Sequence, residues 1–123
     1  MVDTAQVFAH FQDENWLLID ARLAERFKGL EEPMDHKAGH IPNAVNLPFA
    51  LNLNNGYWRK QEELKARFEP FIARNMVCYC GSGVTACHNI LAAVHAGLTE
   101  PLLYAGSWSE WINDDNHPIA KDC

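Results

Sequence analysis

The stretch that most constrains this chain is the six-residue segment Cys80-Gly81-Ser82-Gly83-Val84-Thr85. Upstream lies Met76-Val77-Cys78-Tyr79, an apolar run with the composition and length of a strand. Downstream, Ala86 to Ala96 is rich in apolar residues and ends at Gly97, a common helix stop. The pattern predicts a strand, a tight loop and a helix that meet at a cysteine. Two glycines let such a loop curl with its backbone N–H groups inward, and the helix adds its positive N-terminal end. Those dipoles stabilise the thiolate, so a thiol held there ionises more readily. The segment reads as the site of a nucleophilic cysteine that carries or releases negative charge.

The rest of the chain supplies a scaffold for that loop. Val2 closes a very short first strand, and Asp3 or Thr4 caps a helix from about Ala5 to Phe11, with Val7, Phe8 and Phe11 on one face. Trp16-Leu17-Leu18-Ile19 is continuously apolar, as in a strand covered on both faces, and it ends at Asp20-Ala21-Arg22. Leu23 to Phe27 forms a helical turn, and residues 28–43 read as loop, punctuated by Gly29, Pro33, Gly39 and Pro42. Ala44 to Leu47 is a short strand, Asn52 to Gly56 a turn, and Gln61 to Ala73 a one-faced helix that Pro70 splits or kinks. After the cysteine loop and its helix come a strand at Leu102-Leu103-Tyr104 and a last helix from Gly106 to Trp111, for which Ser107 is a cap. The tail from Asn113 to Cys123 is polar and reads as loose. Strands alternating with helices predict an α/β domain with a mostly parallel sheet. Ligands in such folds bind outside the carboxyl ends of the strands, where both Asp20 and Cys80 fall.

Composition narrows the partners. A chain of 123 residues is one domain, 1–123, with no repeat or linker. Its net charge of −6 argues against a broad nucleic-acid surface and against anionic membranes, although a pocket can still be locally positive. No run approaches the roughly 20 apolar residues of a membrane helix, and no secretory pattern opens the chain. The cysteines at 78, 80, 87 and 123 fit neither a disulfide framework nor a common zinc spacing, so reduced thiols in a cytoplasmic setting are expected.

Two chemistries use a cysteine in a strand–loop–helix cradle. Phosphatases close the loop with an arginine six residues after the cysteine, and that position here is Ala86. Without a bidentate guanidinium a phosphate dianion loses its strongest partner, so phosphoryl transfer is disfavoured. Sulfur transfer suits a smaller loop. The thiolate takes one sulfur atom as a persulfide, and inward N–H groups from Gly81, Ser82, Gly83, Val84 and Thr85 stabilise its outer charge.

Asp20-Ala21-Arg22, Arg26-Phe27, Gly39-His40-Ile41-Pro42, the loop Cys80 to Thr85 and Tyr104-Ala105-Gly106-Ser107-Trp108-Ser109-Glu110-Trp111 occur in the order and approximate spacing of one family. On these motifs the chain resembles a rhodanese-family domain, and specifically the C-terminal catalytic half of a tandem sulfurtransferase. The resemblance implies a three-layer domain with about five strands. It implies Cys80 as sulfur acceptor, Arg26 as holder of the substrate carboxylate, Asp20 near the pocket and Ser82 as a hydrogen-bonding substrate contact. The sequence Gly-Ser-Gly-Val-Thr after the cysteine is similar to 3-mercaptopyruvate sulfurtransferases, whereas thiosulfate enzymes place cations there. The expected reaction moves sulfane sulfur from 3-mercaptopyruvate through a Cys80 persulfide to cyanide or a thiol such as a thioredoxin-like protein, with no metal or organic cofactor. A thiosulfate:cyanide sulfurtransferase is the nearer alternative, and a non-catalytic binding or redox-sensing module the more distant one. Two departures stand out. Mercaptopyruvate enzymes follow a Glu-Pro pair with a second substrate arginine, and here Glu32-Pro33 is followed by Met34, with Lys37 the nearest cation. The resemblance also implies an N-terminal half that covers the site in tandem proteins; the chain is then either a fragment of such a protein, which the tandem-like motifs favour, or a standalone domain with a more open pocket.

Several residues have plainer readings. Cys78 reads as core, and Cys87 with His88 as ordinary helix residues. Asp20 reads equally as a partner of Arg22 and as a pocket group. Arg22 is structural, His40 is a turn residue bonded to backbone rather than a base, and His36 does not pair with it as a ligand. Trp108, Glu110 and Trp111 serve mainly to pack the last helix. A Ser-His-Asp relay through Ser82 lacks an obvious histidine in this chain.

Overall fold

The computed structural model describes residues 1–81 and 85–121. Its frame is a parallel sheet of β1 (Trp16–Asp20), β2 (Val45–Asn46), β5 (Asn75–Tyr79) and β6 (Leu102–Leu103), in the order β2-β1-β5-β6. Between β2 and β5 a small antiparallel hairpin of β3 (Leu53–Asn54) and β4 (Tyr57–Trp58) turns through Asn55 and Gly56, both at positive φ. The sheet thus has four strands rather than five. Val2 adds a single parallel rung against Tyr104, because Asp3 immediately diverts the chain into a helix.

That helix, α1 (Thr4–His10), starts at a reciprocal cap. The Asp3 carboxylate accepts the Gln6 N–H and the Gln6 side chain accepts the Asp3 N–H. α2 (Ala24–Phe27) is one turn after β1. α3 (Gln61–Phe68) gives way to a 3-10 turn at Glu69–Phe71, where Pro70 cannot continue the α-helical ladder. α4 (Ala86–His95) follows the cysteine loop, and α5 (Ser107–Trp111) follows β6.

The apolar runs of β1 and β5 are buried on both faces, so alternate residues feed two cores. Leu17, Ile19, Met76 and Cys78 pack with Leu64 and Phe68 of α3 and with Ala92 and Ala93 of α4. Leu18, Val77 and Tyr79 pack on the opposite face with Val7, Phe11, Trp108 and Trp111. Ala86, the position at which a phosphate loop needs arginine, is wholly buried in the first of these cores. The two tryptophans are fully enclosed, as the packing role required, while Glu110 accepts a hydrogen bond from Thr4.

The segment after α5 is not loose. His117 stacks on Trp111 at 4.4 Å, the Trp111 indole N–H donates to Pro118, and Ala120 exchanges backbone hydrogen bonds with His40. Its polar composition hid this return because the contacts use backbone groups and one aromatic stack. Cys123 lies outside the described residues.

At the carboxyl end of β1, Asp20 and Arg22 form a wholly buried ion pair. The Arg22 Nη2 to Asp20 Oδ2 distance is 2.8 Å, and Nε donates to both carboxylate oxygens. The same guanidinium reaches the Gly39 carbonyl at 2.6 Å and lies 4.9 Å from the Trp108 ring centroid. Desolvation works against the cation, but the Asp20 hydrogen bonds and charge outweigh it and hold the Arg22 pKa above its ordinary value. Removing one member of such a pair strands the other charge, at a cost of about 3–5 kcal/mol. Asp20→Ala is therefore expected to lower the melting temperature by about 10 °C or more. A thermal melt within a degree or two of the parent would show that the pair is not holding the fold.

Candidate active site

Cys80 follows the last residue of β5 and is pinned by the start of α5. The Cys80 N–H donates to Ser107 Oγ at 3.1 Å, and that hydroxyl donates onward to the Tyr104 carbonyl at 2.8 Å. The Cys80 and Gly81 carbonyls accept the N–H groups of Trp108 and Ser109, each at 2.9 Å. A trans peptide carries its C=O and the next N–H on opposite sides. Turning the Cys80 carbonyl toward α5 therefore turns the Gly81 N–H away from α5. Ser107 is thus no helix cap by its side chain. It sits at φ 56°, fully buried, with its hydroxyl spent on the cysteine backbone. Sequence reading missed this role, since a serine before a helix signals a cap, and only the register of α5 against β5 brings it under Cys80.

Cys80 lines a cleft of about 330 Å³ together with Arg26, Met34, Asp35, Gly81, Thr85 and Ser109. Arg26 arrives from α2, and its guanidinium packs over the Cα of Gly81. A Cβ built at Gly81 would stand 3.2 Å from Nη2 and 3.4 Å from Nη1 of Arg26. Glycine at this position leaves room for the arginine beside the cysteine. Met34 is 80% exposed at the same cleft. A larger groove of about 610 Å³ runs along residues 72–76 and 97–102, at the amino-terminal ends of β5 and β6, away from the cysteine. Ligand chemistry belongs at the other ends of the strands.

The charges beside the cleft form a chain. Glu32 is nearly buried and joins Arg22 (3.4 Å) to Arg26 (3.1 Å), while accepting the N–H groups of Met34 and Asp35. Burial opposes its ionisation, but those N–H bonds and Arg26 prevail and hold its carboxyl below the usual range. Asp35 meets Arg26 at 3.3 Å, and burial together with the Glu32 charge pushes its carboxyl upward. Neither acid was singled out from sequence. Their signal was the run Glu31-Glu32-Pro33-Met34-Asp35 a few residues after Arg26, but spacing alone does not say which acid turns inward.

The remaining expected site residues divide clearly. Asp20 does not line the cleft; it is fully buried on Arg22, because the buried cation offers it a bidentate partner that the cleft does not. Arg26, Gly81 and Thr85 do line it. Ser82, Gly83 and Val84 lie outside the described residues. His40 is buried against Phe27, with Nδ1 2.6 Å from the Phe27 carbonyl, so that nitrogen carries the proton. Burial lowers its pKa. Cys78 is core, its thiol pushed up to about 12 by burial and by the Cys87 charge.

Residues 3–114 match the model of the family described as Rhodanese-like domain. The chain is 45% identical, over 98% of its length, to a Pseudomonas aeruginosa protein named "Probable 3-mercaptopyruvate sulfurtransferase", of which it covers 44%. It is 44% identical over 76% of its length to the 3-mercaptopyruvate sulfurtransferase of Mus musculus, covering 34% of that protein. It is 36% identical over 88% of its length to the thiosulfate sulfurtransferase of Gallus gallus, covering 39% of it. The chain therefore spans less than half the length of these curated relatives. An anaerobic ergothioneine biosynthesis enzyme from Chlorobium limicola superposes with a TM-score of 0.88 over 99% of this chain and 32% of its own, at 21% identity, a likeness of fold.

The Ser107 clamp is separable from its backbone geometry by two substitutions. Ser107→Ala leaves the buried Cys80 N–H without its acceptor and keeps a side chain at positive φ, at an expected cost of about 1–3 kcal/mol. Ser107→Gly loses the same bond but relieves the left-handed backbone, recovering about 1 kcal/mol of that. Urea unfolding of both variants measures the difference, and an alanine variant as stable as the parent would remove the clamp from the account.

Proposed function

The chain belongs to the rhodanese-like family, and on that premise we propose that it transfers sulfane sulfur from 3-mercaptopyruvate through a persulfide on Cys80. The observation that carries this reading is the placement of the Arg26 guanidinium over Gly81, one residue from the cysteine and in the same cleft. An α-keto acid thiol needs one cation for its carboxylate and one nucleophile for its sulfur, and the two stand side by side.

In the first half-reaction the Cys80 thiolate attacks the donor sulfur, and the C–S bond breaks as the S–S bond forms. The electron pair stays on the three-carbon fragment as an enolate. It takes up the proton carried by the transferred sulfur and leaves as pyruvate, with Cys80 as Cys–S–S⁻. In the second half a thiolate or cyanide attacks the outer sulfur and releases the Cys80 thiolate. In this scheme the loop residues Gly81, Ser82, Gly83, Val84 and Thr85 supply the N–H donors for the outer sulfur's charge, with Ser82 as a substrate contact. Ser109 and Thr85 offer hydroxyls at the cleft wall.

Charge favours mercaptopyruvate over thiosulfate. Among the described residues that line the cleft, Arg26 is the one cation, and Asp35 already shares it. Met34 stands where mercaptopyruvate enzymes carry a second substrate arginine, a departure that leaves the donor carboxylate with Arg26 among the described lining residues. Thioredoxin-like proteins are the acceptor class this chemistry suits, and an N-terminal rhodanese domain is the structural partner the tandem resemblance suggests. No helix of the described chain is long and apolar enough to cross a membrane; a cytoplasmic setting belongs to the proposal.

Intact-mass measurement after incubation with 3-mercaptopyruvate is expected to show a gain of one sulfur, about 32 Da, that cyanide removes and Cys80→Ser abolishes. Steady-state rates with both donors are expected to favour mercaptopyruvate. Faster turnover of thiosulfate would reverse the donor assignment, and no mass gain with either would return the domain to a binding role.

A further inference from the structure

The Arg26 guanidinium is not an empty receptor for an incoming anion. Glu32 and Asp35 both hold it, and their attachments differ in kind. Glu32 is 6% exposed in its side chain, bridges two arginines and accepts two backbone N–H groups, so moving it would undo four interactions at once. Asp35 is 16% exposed, lines the cleft beside Cys80, and meets Arg26 through a single oxygen at 3.3 Å. We propose that Asp35 is an internal competitor for Arg26: a donor carboxylate binds by exchanging with the Asp35 carboxylate, so Asp35 sets how strongly this cleft takes up an anionic donor. The inference rests on Arg26 being the anion-binding group of the proposed reaction.

The electrostatic surroundings support exchange. Arg26 and Arg22 attract the Asp35 charge and exposed His36 does so weakly, but burial and Glu32 outweigh them, and the net effect raises the Asp35 pKa. Folding therefore disfavours the Asp35 charge relative to the unfolded chain. Its contribution to stability is complete below the ordinary carboxylate pKa and is lost as pH rises through the raised one. Near neutral pH the Asp35 charge is a burden that Arg26 only partly relieves. A bound donor carboxylate that displaces it into solvent exchanges one paired anion for another and leaves the cation satisfied.

The test uses pyruvate, the α-keto acid without its sulfur, so that it reads anion binding whether or not sulfur is transferred. Calorimetric titration at pH about 7.5 is expected to show pyruvate binding Asp35→Asn at least about threefold more tightly than the parent. Lowering the pH toward the ordinary carboxylate range is expected to tighten binding to the parent and leave Asp35→Asn nearly unchanged. His36→Gln in both backgrounds removes the neighbouring imidazole from the comparison. A thermal melt at neutral pH is expected to show Asp35→Asn no less stable than the parent. Equal or weaker binding by Asp35→Asn, binding by neither protein, or an unstable variant each overturns the proposal. Tighter pyruvate binding by Asp35→Asn supports it even if no persulfide forms on Cys80, a result that would count only against the sulfur-transfer reading.

Discussion

The guanidinium of Arg22 is the point on which the active end of this domain depends. It sits at the carboxyl edge of the sheet, paired with Asp20 of β1, bonded to the carbonyl of Gly39, linked to Glu32 and packed on the face of Trp108. One buried charge thus joins a strand, two turns of the long 28–43 connection and the last helix. Because a buried cation must keep its partners, these segments have little freedom to move independently. That constraint reaches the cysteine. Trp108 is the residue whose N–H holds the Cys80 carbonyl, and Glu32 is the residue that steers Arg26.

The cleft is consequently built from both sides by elements that are themselves fixed. α5 sets the backbone direction at Cys80 and Gly81 through Ser107, Trp108 and Ser109. The carboxylate chain sets Arg26 against Gly81. Neither arrangement uses a histidine: His40 is stacked on Phe27, bonds the carbonyl at the end of α2 and pairs through its backbone with Ala120. The chemistry available is accordingly that of a nucleophilic sulfur beside one shared cation. This suits transfer of a single sulfur better than attack on a phosphate, for which Ala86 faces the core and offers nothing.

Much of the frame was legible in one dimension. Continuous apolar runs marked β1 and β5, Pro70 marked the end of α3, and the glycine-rich segment after Tyr79 marked the end of the sheet at which the Cys80 cleft lies. Short edge elements were harder. A strand of two residues leaves almost no periodic trace, so the fifth strand shrank to the rung at Val2. The tail misread for a related reason: backbone pairing of Ala120 with His40 carries no side-chain signature, and the polar residues around it face water.

The sequence by itself determined the class of fold and put a cysteine just past the carboxyl end of β5 and an arginine, Arg26, in the helical turn after β1. Those follow from local rules, in which residue type, period and turn chemistry act over a few positions. Tertiary structure alone decided which charges meet. Asp20 turned inward to Arg22 rather than outward to the cleft, and Ser107 served the cysteine rather than its own helix. Two acids from a loop of no obvious pattern came to share Arg26. The physical reason is that Coulombic and hydrogen-bond partners are chosen by distance and desolvation in three dimensions. A carboxylate six residues from one arginine and ten from another, as Glu32 is, is equally available to both until the chain has folded around them.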